Sequence, residues 1–378
     1  MTARKQAKDR ATPPDDTPLA PQTSRARVQR LRARLLDWYD KNRRDLPWRR
    51  SRDPYAIWIS ETMLQQTRVE TVIPYYNRFL ERFPDIESLA TANQEDVFGL
   101  WTGLGYYSRA RNLQRSAQLV MDEHNASMPS DTESLRKLPG IGRYTAGAVA
   151  SIAFNQPEAV VDGNVVRVLT RLLDIRASMA RKDVQERLWD EAGALAKGSR
   201  PGDLNQALME LGATVCTPRS PRCKDGCPVR SLCHGLKTGD VETLPNKPKK
   251  KKPRVVQAVA AWLPRRDDVL VAQRPESGLL ANLWELPGGE LSNDVEAKDH
   301  VVRVIGEKTG LEVTNPVHAG TVEHVFSHLR LSLHLYRCSS TSGRVQLAGY
   351  QAHRFVSHQA VLELPQATLN RKALELFL

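Results

Sequence analysis

Cys216, Cys223, Cys227 and Cys233 fall within 18 positions at the spacing C-x6-C-x3-C-x5-C. Four thiolates in so short a loop can wrap one tetrahedral zinc ion or one cubane iron–sulfur cluster. The chain holds five cysteines, an odd number, so an intracellular metal or cluster site fits better than a disulfide framework. The fifth, Cys338, lies in a strand-like stretch and reads as a small core residue. Arg219, Arg222 and Arg230 make the same loop basic, which suits contact with a nucleic-acid backbone.

A second feature is Leu138-Pro139-Gly140-Ile141-Gly142-Arg143-Tyr144-Thr145-Ala146, set between two helical stretches. Gly140 and Gly142 allow a tight hairpin whose bare backbone N–H groups, with the N-terminus of the next helix, can approach a phosphate. Leu138 and Ile141 would anchor the turn in the core. Eighteen residues after Tyr144 stands Asp162, in Val161-Asp162-Gly163-Asn164-Val165. Taken alone, Asp162 reads equally well as a helix N-cap.

Together the two motifs resemble the helix-hairpin-helix DNA glycosylase superfamily, in which the hairpin clamps DNA and the aspartate belongs to the active site. Members that also cut the strand, such as endonuclease III, carry a lysine at the position of Tyr144, where an amine can form a Schiff base. A phenol cannot. The match therefore points to the monofunctional adenine DNA glycosylase (MutY) family, and Asp53 to Thr67, including Trp58-Ile59-Ser60-Glu61, resembles that family's active-site helix. The implied activity is excision of adenine mispaired with 8-oxoguanine or guanine in duplex DNA, during base excision repair.

Cleaving that N-glycosidic bond needs one carboxylic acid to protonate the base and one carboxylate to stabilise an oxocarbenium-like sugar. By resemblance Glu61 is the acid, Asp162 stabilises the cation, and Tyr144 and Asn164 orient acid and substrate. Glu61 lies among Ile57, Trp58, Ile59, Met63 and Leu64, where burial would keep it protonated; Asp162, beside Asn164 and a helix N-terminus, should stay ionised. Adenine must also be flipped out and its space filled. The resemblance assigns the wedge to Gln66, Leu104 and Tyr106, the DNA clamp to Gly140 and Gly142, and the base pocket to Leu46, Trp48, Arg49 and Gln206, while Arg109, following two tyrosines, reads by its type as a phosphate contact. It also implies a [4Fe–4S] cluster on Cys216, Cys223, Cys227 and Cys233, with zinc the alternative. The family signature has two residues in the middle gap, and here there are three, Lys224, Asp225 and Gly226, an insertion that a glycine-containing loop can absorb.

Gly278 to Glu290 resembles the entry to a Nudix fold, whose hydrolases hold Mg²⁺ on a helix bearing Arg-Glu-x-x-Glu-Glu. The comparable run, Arg303-Val304-Ile305-Gly306-Glu307-Lys308, leaves Glu307 alone, too little for a cation bridging a pyrophosphate. No Mg²⁺ and no pyrophosphohydrolase activity are expected there. Phe326-Ser327-His328 matches the family's lesion-contacting loop, so this part is expected to recognise 8-oxoguanine opposite the adenine.

These residues need elements to hold them. Residues 1–27 are polar and proline-containing and read as a disordered tail; 28–240 read as an all-α helix-hairpin-helix domain with the cysteine loop at 216–233. Its stripes include Leu31, Leu35, Trp38 and Tyr39, then Val69, Val72 and Ile73, then Val165, Val168, Leu169 and Leu172. Residues 241–254 form a basic linker, and 255–378 an α+β Nudix-like domain with strands at Val255 to Leu263, Val269 to Ala272, His318 to Phe326 and Leu329 to Tyr336, and a helix from Glu296 to Thr309.

The 378 residues carry a net charge of +12, yet residues 35–246 hold 28 basic against 27 acidic side chains and residues 255–378 hold 12 against 13. The excess lies in the tail and in Lys247 to Arg254, so net charge is not what argues for DNA. No stretch reaches the ~18 apolar residues of a membrane span, and no secretory signal is seen. The expectation is a monomer in a bacterial cytoplasm, associated with the nucleoid, with an organelle as the alternative. The rival functions are an endonuclease III-like glycosylase/lyase and a non-catalytic DNA-damage binding protein.

Overall fold

The computed structural model describes residues 19, 22–239, 241–248, 253–291, 295–326 and 329–378. Helices come first along the chain: α1 (Arg25–Asn42), α2 (Pro54–Leu64), α3 (Val69–Arg82), α4 (Ile86–Ala90), α5 (Gln94–Trp101), α6 (Ser108–His124), α7 (Thr132–Leu135), α8 (Arg143–Ile152), α9 (Gly163–Leu173), α10 (Lys182–Ala196), α11 (Pro201–Thr214) and α12 (His234–Thr238). Strands follow: β1 (Arg254–Trp262), β2 (Pro264–Arg265), β3 (Asp268–Gln273), β4 (Trp284–Glu285), β5 (Gly288–Glu290), β6 (Glu312–Val325), β7 (Leu329–Ser342) and β8 (Ala352–Ser357), with α13 (Ala297–Thr309) and α14 (Thr368–Leu374). Among the described residues no helix is long and apolar enough to cross a membrane.

The chain divides into two compact units, the first running to Thr62 and resuming at Ser127 up to the basic linker, the second formed by Met63–Ala126 and the chain beyond the linker. Met63–Ala126, helical in sequence and structure, thus shares its contacts with the C-terminal part.

In the first unit the apolar stripe of α1 meets α9, α10 and α11 in a core that includes Leu31, Leu35, Val168, Leu172, Leu188 and Leu208. A fully buried leucine contributes roughly 2 kcal/mol by removal from water, and truncating Leu35 to alanine would cost about 2–5 kcal/mol. Helix α1 starts at Arg25, three residues before the expected edge of the tail, and Leu19 packs on the same core. The added turn is polar and shows no apolar periodicity, but Thr23 N donates to Glu191 Oε1 (2.9 Å) and Arg27 Nη2 to Leu232 O (2.7 Å). The rest of the expected tail, and Lys249 to Lys252 of the linker, lie outside the described residues. Helix α8 is buried from Thr145 through Ile152, and a Cβ at Gly147 would stand 2.2 Å from Ala159 O, so only glycine permits this approach.

In the second unit β5-β1-β7-β6 form a mixed sheet, with β1 and β7 parallel in the register Val259↔His334 and β6 and β7 antiparallel. A smaller sheet pairs β2, β4 and β8 with β3. Strands β6 and β7 are longer than their alternation suggested: β6 begins at Glu312, with bulges around Asn315, Pro316 and Gly320 interrupting the pattern a reader follows. The short strands β2, β4 and β5 carry no alternation because they are defined by pairing. Within this unit Tyr107 Oη donates to Gln366 O (2.8 Å), Asn282 Nδ2 to Gln94 Oε1 (2.9 Å) and Trp284 Nε1 to Glu95 Oε1 (3.2 Å).

Candidate active site

Glu61 sits on α2 and is 5% exposed. Apolar neighbours on its own helix bury it, and Tyr144, at the start of α8, donates from Oη to Glu61 Oε2 at 2.6 Å. Burial pushes the Glu61 carboxyl up to about 7; the nearby Asp162 charge adds to the rise, while the Tyr144 hydrogen bond and Arg49 oppose it. Burial and the two carboxylates hold the Tyr144 phenol well above its usual range, so it remains a donor.

Asp162 caps α9, accepting from Val165 N at 2.7 Å, and Asn164 Nδ2 donates to its second oxygen at 2.8 Å. Burial raises this carboxyl too, while both hydrogen bonds and the Arg167 charge resist the rise. Arg167 Nη2 donates to Asn164 Oδ1 (2.8 Å) and its Nε to Cys216 O (2.7 Å), so the aspartate is oriented through asparagine and arginine from the cysteine loop. Nothing in the sequence had marked Arg167.

Arg49 and Trp48 form a short 3₁₀ turn after Leu46, and all three are largely buried. Arg49 Nη2 donates to Glu210 Oε2 at 2.9 Å, as does Arg44 Nη2 at 3.0 Å. Arg44 and Glu210 were not anticipated. Gln206 is half-buried on α11. The hairpin has its expected form: Gly140 lies at φ +78°, Gly142 caps α8, and Leu138 and Ile141 are buried.

The four cysteines line one small cavity of about 20 Å³, shared with Arg171, Val229 and Arg230. Gly226, in the lengthened gap, takes φ +105°, a conformation that lets the extra residue loop outward. Arg171 ties the loop down, donating to Leu244 O, Thr217 O and Pro218 O and standing 3.4 Å from Cys216 Sγ. Burial pushes the Cys227 thiol up to about 12, with the other three cysteines adding to the rise. Burial, with neighbouring thiols adding to it, likewise raises Cys223 and Cys233, so these cysteines form a donor set that a cationic group would draw into thiolate form, the chemistry a four-thiolate centre needs. Among the described residues no three Cys, His, Asp or Glu side chains meet closely enough to hold a single ion.

Gln66, Leu104 and Tyr106, the residues expected to form the wedge, lie in the second unit. Gln66 and Tyr106 are exposed, Tyr106 at 45%, and both sit in the left-handed region at φ +58° and +50°, strain that non-glycine residues keep where a side chain must be aimed. Leu104 is buried. Arg109 needs correction. It is 8% exposed and its guanidinium donates to Met63 O, Gln65 O, Leu104 O and Gly105 O, so it braces the two wedge loops and is not a surface contact for phosphate. Its burial was invisible in a stretch that reads as aromatic and basic.

Tyr106 and Phe326 line the same cavity, about 420 Å³, whose other walls include Arg111, Leu279, Leu280 and His324. His324 packs edge-on against Phe326 with ring centroids 4.5 Å apart. Ser327 and His328 lie outside the described residues. On α13, Glu307 is paired with Arg303 at 3.9 Å, and Lys308 reaches over the Tyr350 ring.

The description "HhH-GPD superfamily base excision DNA repair protein" matches residues 59–193, and that of a NUDIX domain matches residues 258–376. An adenine DNA glycosylase of Homo sapiens is 41% identical over 367 residues, covering 82% of this chain and 67% of that protein. One from Buchnera aphidicola subsp. Schizaphis graminum is 35% identical over 257 residues, 67% of this chain and 73% of that protein. The solved structure of a thermostable thymine-DNA glycosylase superposes with a TM-score of 0.52 at 29% identity, covering 56% of this chain and 98% of that one. The expected helical glycosylase domain followed by a Nudix-like domain is borne out, and the protein is a DNA glycosylase. This chain belongs to the adenine DNA glycosylase family.

Proposed function

We propose that this enzyme removes adenine paired with 8-oxoguanine, or with guanine, and leaves the strand uncut. Glu61 donates its proton to the departing base and Asp162 faces the sugar as an anion. The bond from C1′ to the base nitrogen breaks, its electron pair leaves with the base, and the cation left on the sugar is stabilised by Asp162 until water adds. Tyr144 holds the acid and Asn164 holds the aspartate. The single observation that carries this is the buried Glu61 hydrogen-bonded to Tyr144, its carboxyl raised to about 7 while the Asp162 carboxylate is oriented by Val165 N and Asn164 Nδ2. A tyrosine in place of an amine supports base removal without Schiff-base chemistry.

Leu46, Trp48, Arg49 and Gln206 are the adenine pocket in this reading, Gly140 and Gly142 clamp the DNA backbone, and Gln66, Leu104 and Tyr106 fill the space left by the base. The cavity shared by Tyr106 and Phe326 supports lesion reading, with Ser327 and His328 beside it in sequence. Cys216, Cys223, Cys227 and Cys233 would hold a [4Fe–4S] cluster, which when bound cross-links the loop through four Fe–S bonds; zinc would need the four sulfurs about 2.3 Å from one point. Glu307, the single carboxylate left in that run and already paired with Arg303, leaves α13 without a Mg²⁺ site in this reading.

The test is single-turnover release of adenine from duplexes carrying A opposite 8-oxoguanine. Glu61→Gln is expected to lose at least ~10³-fold in rate while still binding the duplex, since it removes the transferable proton but keeps the shape. Equal rates for variant and parent would sink the mechanism, and a borohydride-trapped enzyme–DNA adduct would revive the lyase reading.

A further inference from the structure

Glu210 belongs to none of the motifs above. Its side chain is fully buried on α11 and accepts from Arg44 Nε (2.7 Å), Arg44 Nη2 (3.0 Å), Arg44 N (3.3 Å) and Arg49 Nη2 (2.9 Å). Burial alone would raise this carboxyl, but the two guanidiniums outweigh it and hold it below its usual value, so it is an anion between two cations. Arg49 is further fixed by donating to Arg44 O (3.2 Å) and by lying 5.5 Å from the centre of the Tyr39 ring. The charged or titratable groups around Glu61 are Tyr144, Asp162 and Arg49; those around Arg49 and Glu210 are Arg44, Tyr39 and, through Tyr39, Arg43 and Asp203. Arg49 is the cation of the first set, and its carboxylate partner is Glu210.

We propose that Glu210 is a positioning residue for adenine excision: it pins Arg49 and Arg44 in place and cancels part of their charge, so that Glu61 is shielded from an unopposed arginine. The argument rests on the reading of Glu61 as the general acid. A full positive charge close to a buried carboxyl favours its ionised form, and an acid that has lost its proton cannot protonate adenine. A carboxylate that splits its bonds between two guanidiniums sets how much of that charge Glu61 meets. Removing the carboxylate and removing the second arginine should therefore act in opposite directions.

The experiment is the pH profile of single-turnover adenine release by the full chain on an A:8-oxoguanine duplex. Excision needs protonated Glu61, so activity falls as pH rises through its pKa. Glu210→Gln leaves both arginine charges unopposed and is expected to move the alkaline limb down by about half to one pH unit. Arg44→Gln leaves Glu210 to Arg49 alone and is expected to move that limb up, and the double variant should return near the parent. A purely structural role would slow both variants without displacing the limb, and that result overturns the proposal. Should Glu210→Gln fail to fold, Arg44→Gln decides alone, because Arg44 is more exposed: an upward shift supports the assignment and an unmoved limb rejects it. Undiminished excision by Glu61→Gln would instead reject the reading of the acid.

Discussion

Around Glu61 the polar atoms are tied to one another: Tyr144 to Glu61, Asn164 and Val165 to Asp162, Arg167 to Asn164, Arg44 and Arg49 to Glu210. Around the cavity beside Tyr106 and Phe326 the walls are chiefly apolar, and Gly105, Tyr106, Gly278 and Leu280 all adopt left-handed backbone. In the proposed reading the contrast separates two tasks. A bond-breaking site must hold charges at fixed positions before the substrate arrives, because reorganising them costs rate. A surface that inspects a base pair must offer rings and shape, and it tolerates an open, water-filled cavity until DNA fills it. One region is rigid through its hydrogen bonds, the other through bent backbone.

The largest effect should come from removing charge on the rigid side without removing shape. Asp162→Asn keeps the size of the side chain and an oxygen to cap Val165 N, gives up the bond from Asn164 Nδ2 because only one acceptor remains, and deletes the anion that in the proposed mechanism faces the sugar. Single-turnover excision should fall by ~10³-fold with duplex affinity and melting temperature nearly unchanged. If affinity and rate fall together, Asp162 is a structural cap and the contrast between the two regions is lost.

The proposed lesion-reading cavity should respond in the opposite way. Phe326→Ala removes from it a ring that is not part of the proposed wedge, and stacking on a base is worth about 1–3 kcal/mol. The preference for A:8-oxoguanine over A:G is expected to drop ~10-fold in this variant, while the rate on A:G stays within about twofold. Competition between the two duplexes measures this directly. An equal loss on both substrates would make this ring a general binding element and not a reader.

What could be read from the sequence divides along the same line. Tyr144, Asp162 and Asn164 were legible because a hairpin motif and an aspartate at fixed spacing carry a family resemblance, and Glu61 because Asp53 to Thr67 extends that resemblance; the structure ties Tyr144 to Glu61 and Asn164 to Asp162. Arg44, Arg167 and Glu210 were not, since each is an ordinary charged residue on an amphipathic stretch until burial forces it to find a partner. Arg109 misled for the converse reason: it follows two tyrosines as a phosphate contact would, but the fold turns it inward onto backbone carbonyls. The long helices and the core strand β1 announced themselves through periodicity, whereas β2, β4 and β5 exist only because a neighbouring strand completes their hydrogen bonds.

The last prediction concerns stability, and it tests whether the rigid site stores strain. Glu61 has a folded-state carboxyl near 7 and an ordinary value of 4.5, so the folded protein binds this proton more tightly than the unfolded chain. A group raised in this way contributes stability that is fully present below about 4.5 and is lost as pH rises through about 7. Above that pH the buried anion costs up to roughly 3 kcal/mol relative to acid conditions, a cost that falls on the fold in order to keep the acid ready. Glu61→Gln cannot ionise and is free of it. The variant should match the parent in thermal melts at pH 5 and exceed it by a few degrees at pH 8. A difference that does not change between the two pH values would mean that Glu61 titrates as an ordinary carboxylate, and the acid site would then be no more strained than the cavity wall it has been set against.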